Sequence, residues 1–211
     1  MHLSGLHGHV RNVAKSRRPP RRFGVNYVQH VLLRDGRRAR IVALRPFHAP
    51  QLLAGFARLS PESKYMRFFA PKPCLSPAEV RYFTQLDGER HYALGVEVET
   101  AEGWDGAGVV RIVRDARQPD RADLAVTVID DYQGCGLGKL LVDRALDAAA
   151  ERGFREVVAD VLAENGPMMR VFKQLVPTLR CEANQYGVRR LVMPLVERRR
   201  QLRCRPPRLV A

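Results

Sequence analysis

The sequence has no apolar run approaching the roughly eighteen residues that a membrane span needs, and its first residues lack the hydrophobic stretch of a secretory leader. A protein that stays in the cytosol is the expectation. Cysteine is scarce: Cys74, Cys135, Cys181 and Cys204 lie far apart, with no C-x-x-C pair and no matching histidine cluster. Neither a disulfide framework nor a metal site is indicated. Lysine is scarce too, since only five of the 36 basic residues are lysines. Acid is missing from the first 22 residues, which carry +6 of the net +14; residues 197–211 carry +5, leaving +3 for the body. The body is thus near neutral, and the charge excess sits in two Pro-containing tails that read as solvated segments rather than nucleic-acid arms. The arginine-rich start also has the composition of an organellar transit peptide.

What is present is a chain of 211 residues, enough for one domain with a real core. Its most informative stretch is Asp130-Asp131-Tyr132-Gln133-Gly134-Cys135-Gly136-Leu137-Gly138-Lys139. An apolar run from Leu124 to Ile129 precedes it, short enough for a buried strand. An amphipathic helical pattern follows, with Leu137, Leu140, Leu141 and Ala145 on one side and Asp143, Arg144, Asp147 and Glu151 on the other. Glycines at a strand-to-helix turn let the backbone approach a ligand and expose N–H groups at the positive end of a helix, where pyrophosphate binds. A dinucleotide fingerprint would need a third glycine at position 139, and a Walker loop would need glycine at 133 and Ser or Thr at 140. Lys139, Gln133 and Leu140 exclude both. What remains is Q-x-x-G-x-G, or else a tight turn with no ligand.

The rest of the chain reads as two hairpins with helices between them. Tyr27 to Arg34 and Arg38 to Leu44 surround the turn Asp35-Gly36, and His91 to Val98 pairs with Ala107 to Val113 through a connection over 100–106. Between them lie helical spacing over 49–59 and two helix starts, Ser60-Pro61-Glu62 and Ser76-Pro77-Ala78-Glu79. Strands at 123–129 and 156–162 flank the glycine-loop helix, which Gly153 ends. They should be parallel, joined by a right-handed crossover. A helix from Gly166 or Pro167 to Val176 and a strand over 188–195 complete the set.

This order of elements, together with Gln133, Gly136 and Gly138, resembles the GNAT superfamily of N-acetyltransferases. Longer strings narrow the resemblance: Leu59-Ser60-Pro61-Glu62-Ser63-Lys64-Tyr65-Met66-Arg67-Phe68-Phe69, Leu75-Ser76-Pro77, Thr84-Gln85-Leu86-Asp87 and Val161-Leu162-Ala163-Glu164-Asn165 are similar to the acetyltransferase domain of Pat-type bacterial protein lysine acetyltransferases. The resemblance implies an α/β (α+β) fold: a GNAT-like mixed, largely antiparallel central sheet flanked by helices, in a single domain over 25–196. Residues 1–24 and 197–211 would be basic tails. In the family the domain is often fused to a regulatory or synthetase-like region, for which this chain has no room.

Acetyl-CoA is the implied cosubstrate, with no metal. Its pyrophosphate would meet backbone N–H groups of Gly134, Gly136, Leu137, Gly138 and Lys139, with Gln133 opening the loop. Pantetheine would run beside Thr127 and Val128. Asn165 matches a position that contacts the CoA arm, and it also reads as a helix N-cap. Cys135 is a spacer. The acceptor amine must attack as the neutral base, and a lysine of pKa about 10.4 is only about one part in a thousand neutral near pH 7.4, a deficit of about 4 kcal/mol. The family's catalytic glutamate corresponds here to Asp123, one methylene shorter. Asp123 would act directly or through water, unless it is merely paired with Arg121 or another arginine; Glu89 and His91 are alternative bases. By resemblance the Val128 N–H supports the oxyanion. Where many relatives have a tyrosine acid this chain has Phe172, so the thiolate would leave unprotonated or take a proton from water. The implied acceptor is a protein lysine. A small amine, polyamine or amino acid is the alternative acceptor, and a non-catalytic acyl-CoA sensor with nucleic-acid-binding tails the alternative class.

Overall fold

The computed structural model describes residues 21–182 and 186–204. Arg11, Lys15, Arg17 and Arg18 of the first tail, and the arginines beyond 204, lie outside the described residues.

Eight strands form one sheet: β1 (Val28–Leu32), β2 (Arg38–Ala43), β3 (His91–Thr100), β4 (Gly103–Arg114), β5 (Arg121–Val128), β6 (Glu156–Leu162), β7 (Arg180–Glu182) and β8 (Val188–Pro194). They lie in the order β1-β2-β3-β4-β5-β6-β8-β7. Every neighbouring pair is antiparallel except β5 and β6, which are parallel as the crossover requires. The sheet is therefore mixed and largely antiparallel, flanked by helices on both faces.

Three short helices, α1 (Ala49–Ala57), α2 (Pro61–Phe68) and α3 (Pro77–Thr84), cover one face. Their starts follow from local chemistry. Ser60 accepts a hydrogen bond from the Ser63 N–H, and Ser76 and Glu79 form a reciprocal capping box, each with proline in the first turn. The other face carries α4 (Leu137–Glu151), whose Leu141, Val142, Ala145, Leu146, Ala148 and Ala149 are buried against the sheet. Gly108 permits this contact: a side chain there would meet the Thr127 carbonyl at 2.8 Å and Leu141 at 3.3 Å. Helices α5 (Gly166–Leu175) and α6 (Val196–Cys204) pack beside α4.

The structure departs from the sequence reading at three places. The β3–β4 connection is far shorter than 100–106, because the ladder runs on to Thr100↔Gly103, and Trp104 stacks under Arg40 at 4.3 Å. The start of the second tail, residues 197–204, instead belongs to α6: Arg198 is held by Asp143 and Asp147 of α4 at 2.7 and 2.6 Å, so a charge that looked solvated is a partner of the helix's polar face. The end of the first tail is also docked. Phe23 is fully buried, and the Glu151 carboxylate accepts the backbone N–H groups of Arg22 and Phe23 at 2.7 and 3.0 Å. β7, three exposed residues, carries no periodicity to read.

Candidate active site

The site begins where two strands part. β5 and β6 are paired only at Arg121↔Glu156, Ala122↔Val157 and Asp123↔Val158, after which they diverge. On its other side β5 stays bonded to β4 along its whole length. The parity of that ladder decides which backbone groups are free. Ile129 N–H donates to the Ala107 carbonyl, and Asp115 N–H donates to the Arg121 carbonyl. Odd-numbered residues of β5 therefore bond to β4 and even-numbered ones turn toward β6; beyond the Asp123↔Val158 pair the Leu124 carbonyl, the N–H and C=O of Val126 and the Val128 N–H point into the gap, while the Val128 carbonyl accepts from Gln133. The Val128 N–H lies in the gap, whereas the Thr127 N–H is turned to β4. Val126, which the sequence reading did not name, presents a free N–H and C=O pair; strand register alone identifies it.

The gap widens into a groove of about 720 Å³. Every residue expected at the site lines it: Asp123, Thr127 and Val128 on β5, the loop from Gln133 to Lys139 apart from Cys135 at its mouth, and Asn165 at the start of α5. Gly134 and Gly136 take φ values of 77° and 88°, with empty space where a Cβ would stand. Backbone conformation, not crowding, demands glycine there. Gly136 is the N-cap of α4, so Leu137, Gly138 and Lys139 occupy the first turn, whose N–H groups have no acceptor within the helix. That turn faces the groove and suits a pyrophosphate.

Side chains hold this cradle in place. Gln133 donates its amide to the Val128 carbonyl at 3.2 Å and to Ser63 Oγ at 3.1 Å, tying loop, strand end and α2 together. Asp130 accepts from Ser60 N, Ser60 Oγ and Ser63 Oγ at 3.0, 2.7 and 2.9 Å. Burial raises its pKa, but the Ser60 and Ser63 hydrogen bonds outweigh that and hold the carboxyl below its usual value. Arg58 spans Asp105 and Asp131 at 2.7 and 2.9 Å, and Tyr132 donates its hydroxyl to Asp105 at 2.7 Å. These supports escaped the sequence reading, since all but the Gln133–Val128 bond join residues tens of positions apart. Asn165 caps α5 by accepting the Met168 N–H at 3.2 Å, and its amide nitrogen makes no hydrogen bond among the described residues. Lys139 leans on Gln174 at 3.3 Å, and Arg37 reaches the Cys135 sulfur at 3.1 Å. Phe172 is buried in the core.

Asp123 stands at the base of the groove, on the face of β5 shared with Ala125 and Thr127. Among the described residues it makes no ion pair: Arg121 bonds to Glu156 and Arg190 to Asp160. Desolvation by the surrounding protein, then the Asp115 carboxylate, push its pKa up, against the pull of Arg190 and Arg121. The alternative bases lie elsewhere. Glu89 pairs with Arg21. His91 is buried, and because Arg111 donates to its Nε2 at 2.9 Å the ring's proton belongs on Nδ1; burial and then Arg111 hold its pKa down at about 4, so it is neutral. Among the described residues no cluster of His, Cys, Asp and Glu could hold a metal, and no helix is long and apolar enough to cross a membrane.

A mixed sheet that parts beside a glycine loop and a helix N-terminus defines a binding fold for a pyrophosphate-bearing cosubstrate with an extended arm. Residues 65–175 match the model of the acetyltransferase (GNAT) family, and the chain belongs to that family of enzymes, which use acetyl-CoA. It is similar to the GNAT domain of S. lividans PAT: 34% identity, 79% of this chain and 96% of that one covered, TM-score 0.71. It is also 32% identical over 131 residues to acetyltransferase Pat of Mycolicibacterium smegmatis, covering 62% of this chain but 38% of that protein. An acetyltransferase of Pseudomonas aeruginosa is 29% identical over 136 residues, 64% of this chain and 73% of that one.

Proposed function

We propose that this chain transfers an acetyl group from acetyl-CoA to a lysine ε-amine of a protein, by direct attack in a ternary complex. The observation that carries the chemistry is the unpaired Asp123 at the base of a gap whose rim is the glycine loop. The likeness to Pat-type domains supports a protein lysine as acceptor.

In this reading Gly134, Gly136, Leu137, Gly138 and Lys139 hold the pyrophosphate through their N–H groups. The pantetheine amides pair with the free backbone of Val126, as an added strand would, and the arm runs on beside Val128. Thr127 supports the arm through its side chain, and Asn165 through its free amide nitrogen. Asp123 takes the proton from the attacking amine, directly or through one water. Its raised pKa makes it a better base than an ordinary aspartate. The Val128 N–H is a preorganised donor for the developing oxyanion. Phe172 cannot donate a proton, so CoA departs as the thiolate or is protonated by solvent.

The test is release of free thiol from acetyl-CoA against lysine-bearing proteins, with polyamines and amino acids alongside. Turnover with proteins supports the reading. Turnover restricted to small amines reassigns the acceptor, and CoA binding without turnover removes the catalytic assignment.

A further inference from the structure

Beneath α1–α3 lies a second, smaller cavity of about 90 Å³, which shares Arg67, Ala125 and Thr127 with the groove. Its walls are mostly apolar, from Leu52, Phe56, Leu75 and Phe83, yet two guanidinium groups border it: Arg67 on α2 and Arg111 on β4. Arg111 interrupts the apolar run Val109-Val110-Arg111-Ile112-Val113 and is 5% exposed. Neither arginine has a carboxylate partner among the described residues. The cavity's own carboxylate, Glu97, is engaged by Arg40.

A buried arginine of structural purpose looks different in this same molecule. Arg152, 7% exposed, gives Nε, Nη1 and Nη2 to the carbonyls of Gly88, Ala148 and Phe23 at 2.8, 3.0 and 2.9 Å. Of Arg111's five N–H donors, Nη1 alone is engaged, with His91 at 2.9 Å and with the Phe83 carbonyl at 3.4 Å. Burial and then the neighbouring Arg67 pull the Arg111 pKa down to about 9, so it still carries its charge at neutral pH. Two like charges beside an apolar space, with donors left over, are stabilised by an anion placed between them.

We propose that this cavity is an acyl subsite that takes the terminal carboxylate of a dicarboxylic acyl-CoA, such as succinyl-CoA, with Arg67 and Arg111 as the carboxylate's partners. The inference rests on the acyl-CoA reading above and concerns the donor. Ala125 stands directly opposite Arg111 in the β4–β5 register, and Arg67, Ala125 and Thr127 line both the groove and the cavity. The thioester would lie beside β5, about 4.8 Å from it on the side away from β4. The distal carboxyl carbon of an extended succinyl group lies about 4 Å beyond its thioester carbon, so it passes over the face of β5 toward the long Arg67 and Arg111 side chains where an acetyl group ends short. The space admits a few heavy atoms and not a second polypeptide, which favours the donor's tail over an acceptor segment. In the transfer the amine nitrogen bonds to the thioester carbon, the C–S bond breaks, CoA leaves with the electron pair, and the amine proton passes to Asp123. The distal carboxylate is unchanged.

Calorimetric titration of the full chain with CoA, acetyl-CoA, butyryl-CoA and succinyl-CoA tests this without an acceptor. Succinyl-CoA should bind at least about tenfold more tightly than butyryl-CoA, which has the same chain length without the charge. Arg111→Gln and Arg67→Gln should each bring that ratio close to one, measured relative to free CoA. Arg67 lies on a partly exposed helix, so its variant keeps the test open if loss of Arg111 disturbs folding. Equal affinity for the succinyl and butyryl donors overturns the proposal, as does a preference that survives both substitutions. If free CoA itself fails to bind, the acyl-CoA reading falls and this one with it; CoA binding without donor preference removes only the subsite. Turnover that instead favours carboxylate-bearing amines puts the carboxylate on the acceptor and overturns the donor assignment.

Discussion

β3 and β4 stay paired over ten residue pairs, interrupted only by a bulge at Ala107, whereas β5 and β6 stay paired over three. Both strand pairs are rich in valine, and it is β3 and β4 that carry glycines, which weaken a strand, so side-chain preference does not explain the difference. Their exits do. β3 and β4 are joined by a two-residue turn that keeps them together, while β5 and β6 each run into the start of a different helix, α4 and α5. Two helix N-termini cannot share one position, and the strands separate to reach them. A closed ladder uses up its backbone and offers side chains; an opened one offers backbone donors and acceptors to a ligand. In the function proposed above the chemistry belongs to the opened pair, and the closed one serves as scaffold.

Substitutions can separate these roles. Leu94→Ala in the middle of β3, at a fully buried position, should cost about 3 kcal/mol of unfolding free energy. CoA affinity measured well below the melting temperature should stay the same; a parallel loss of affinity would break the division between the two regions. The closed half also carries the acid sensitivity. His91, held at about 4 when folded against 6.5 unfolded, contributes stability that is present above pH 6.5 and lost as the pH falls toward 4, because only the unfolded chain takes the proton in that window. That loss amounts to at most about 3 kcal/mol, and denaturant melts of His91→Gln should lack that share of the slope.

In the opened half, Asp123→Asn should lower the transfer rate about 100-fold with CoA binding unchanged. A normal rate would move the base elsewhere. Its raised pKa adds a sign: the ionised carboxylate costs stability that the protonated form does not, so the asparagine variant should be no less stable than the parent at pH 7. The smallest effect is expected at the rim. Gly136→Ala introduces a side chain into open space but at φ 88°, a strain of about 1–2 kcal/mol, and should weaken CoA binding by about tenfold. An unchanged dissociation constant would show that the loop does not need its left-handed turn.

Much of the fold is local and therefore legible. Ser60 and Ser76 announce their helices, Asp35-Gly36 its hairpin, and the stretch Gln133–Lys139 its turn, because each signal lies within a few residues of what it produces. Arg198 looked like part of a solvated tail because its partners, Asp143 and Asp147, are some fifty positions away. Thr127 and Val128 are neighbours in sequence, yet one turns its N–H to β4 and the other to the gap. Arg111 carried a readable signal, a charge inside an apolar strand, but not its meaning.

The sequence by itself determined the elements, their order, the glycine loop and the aspartate before it, since periodicity, capping and turn conformation act over short distances along the chain. Only the tertiary structure decided which backbone groups of β5 are free, which arginines are satisfied, and that Asp123 stands unpaired, because those outcomes depend on register, on burial, and on competition among carboxylates and guanidinium groups that meet only when the sheet is assembled.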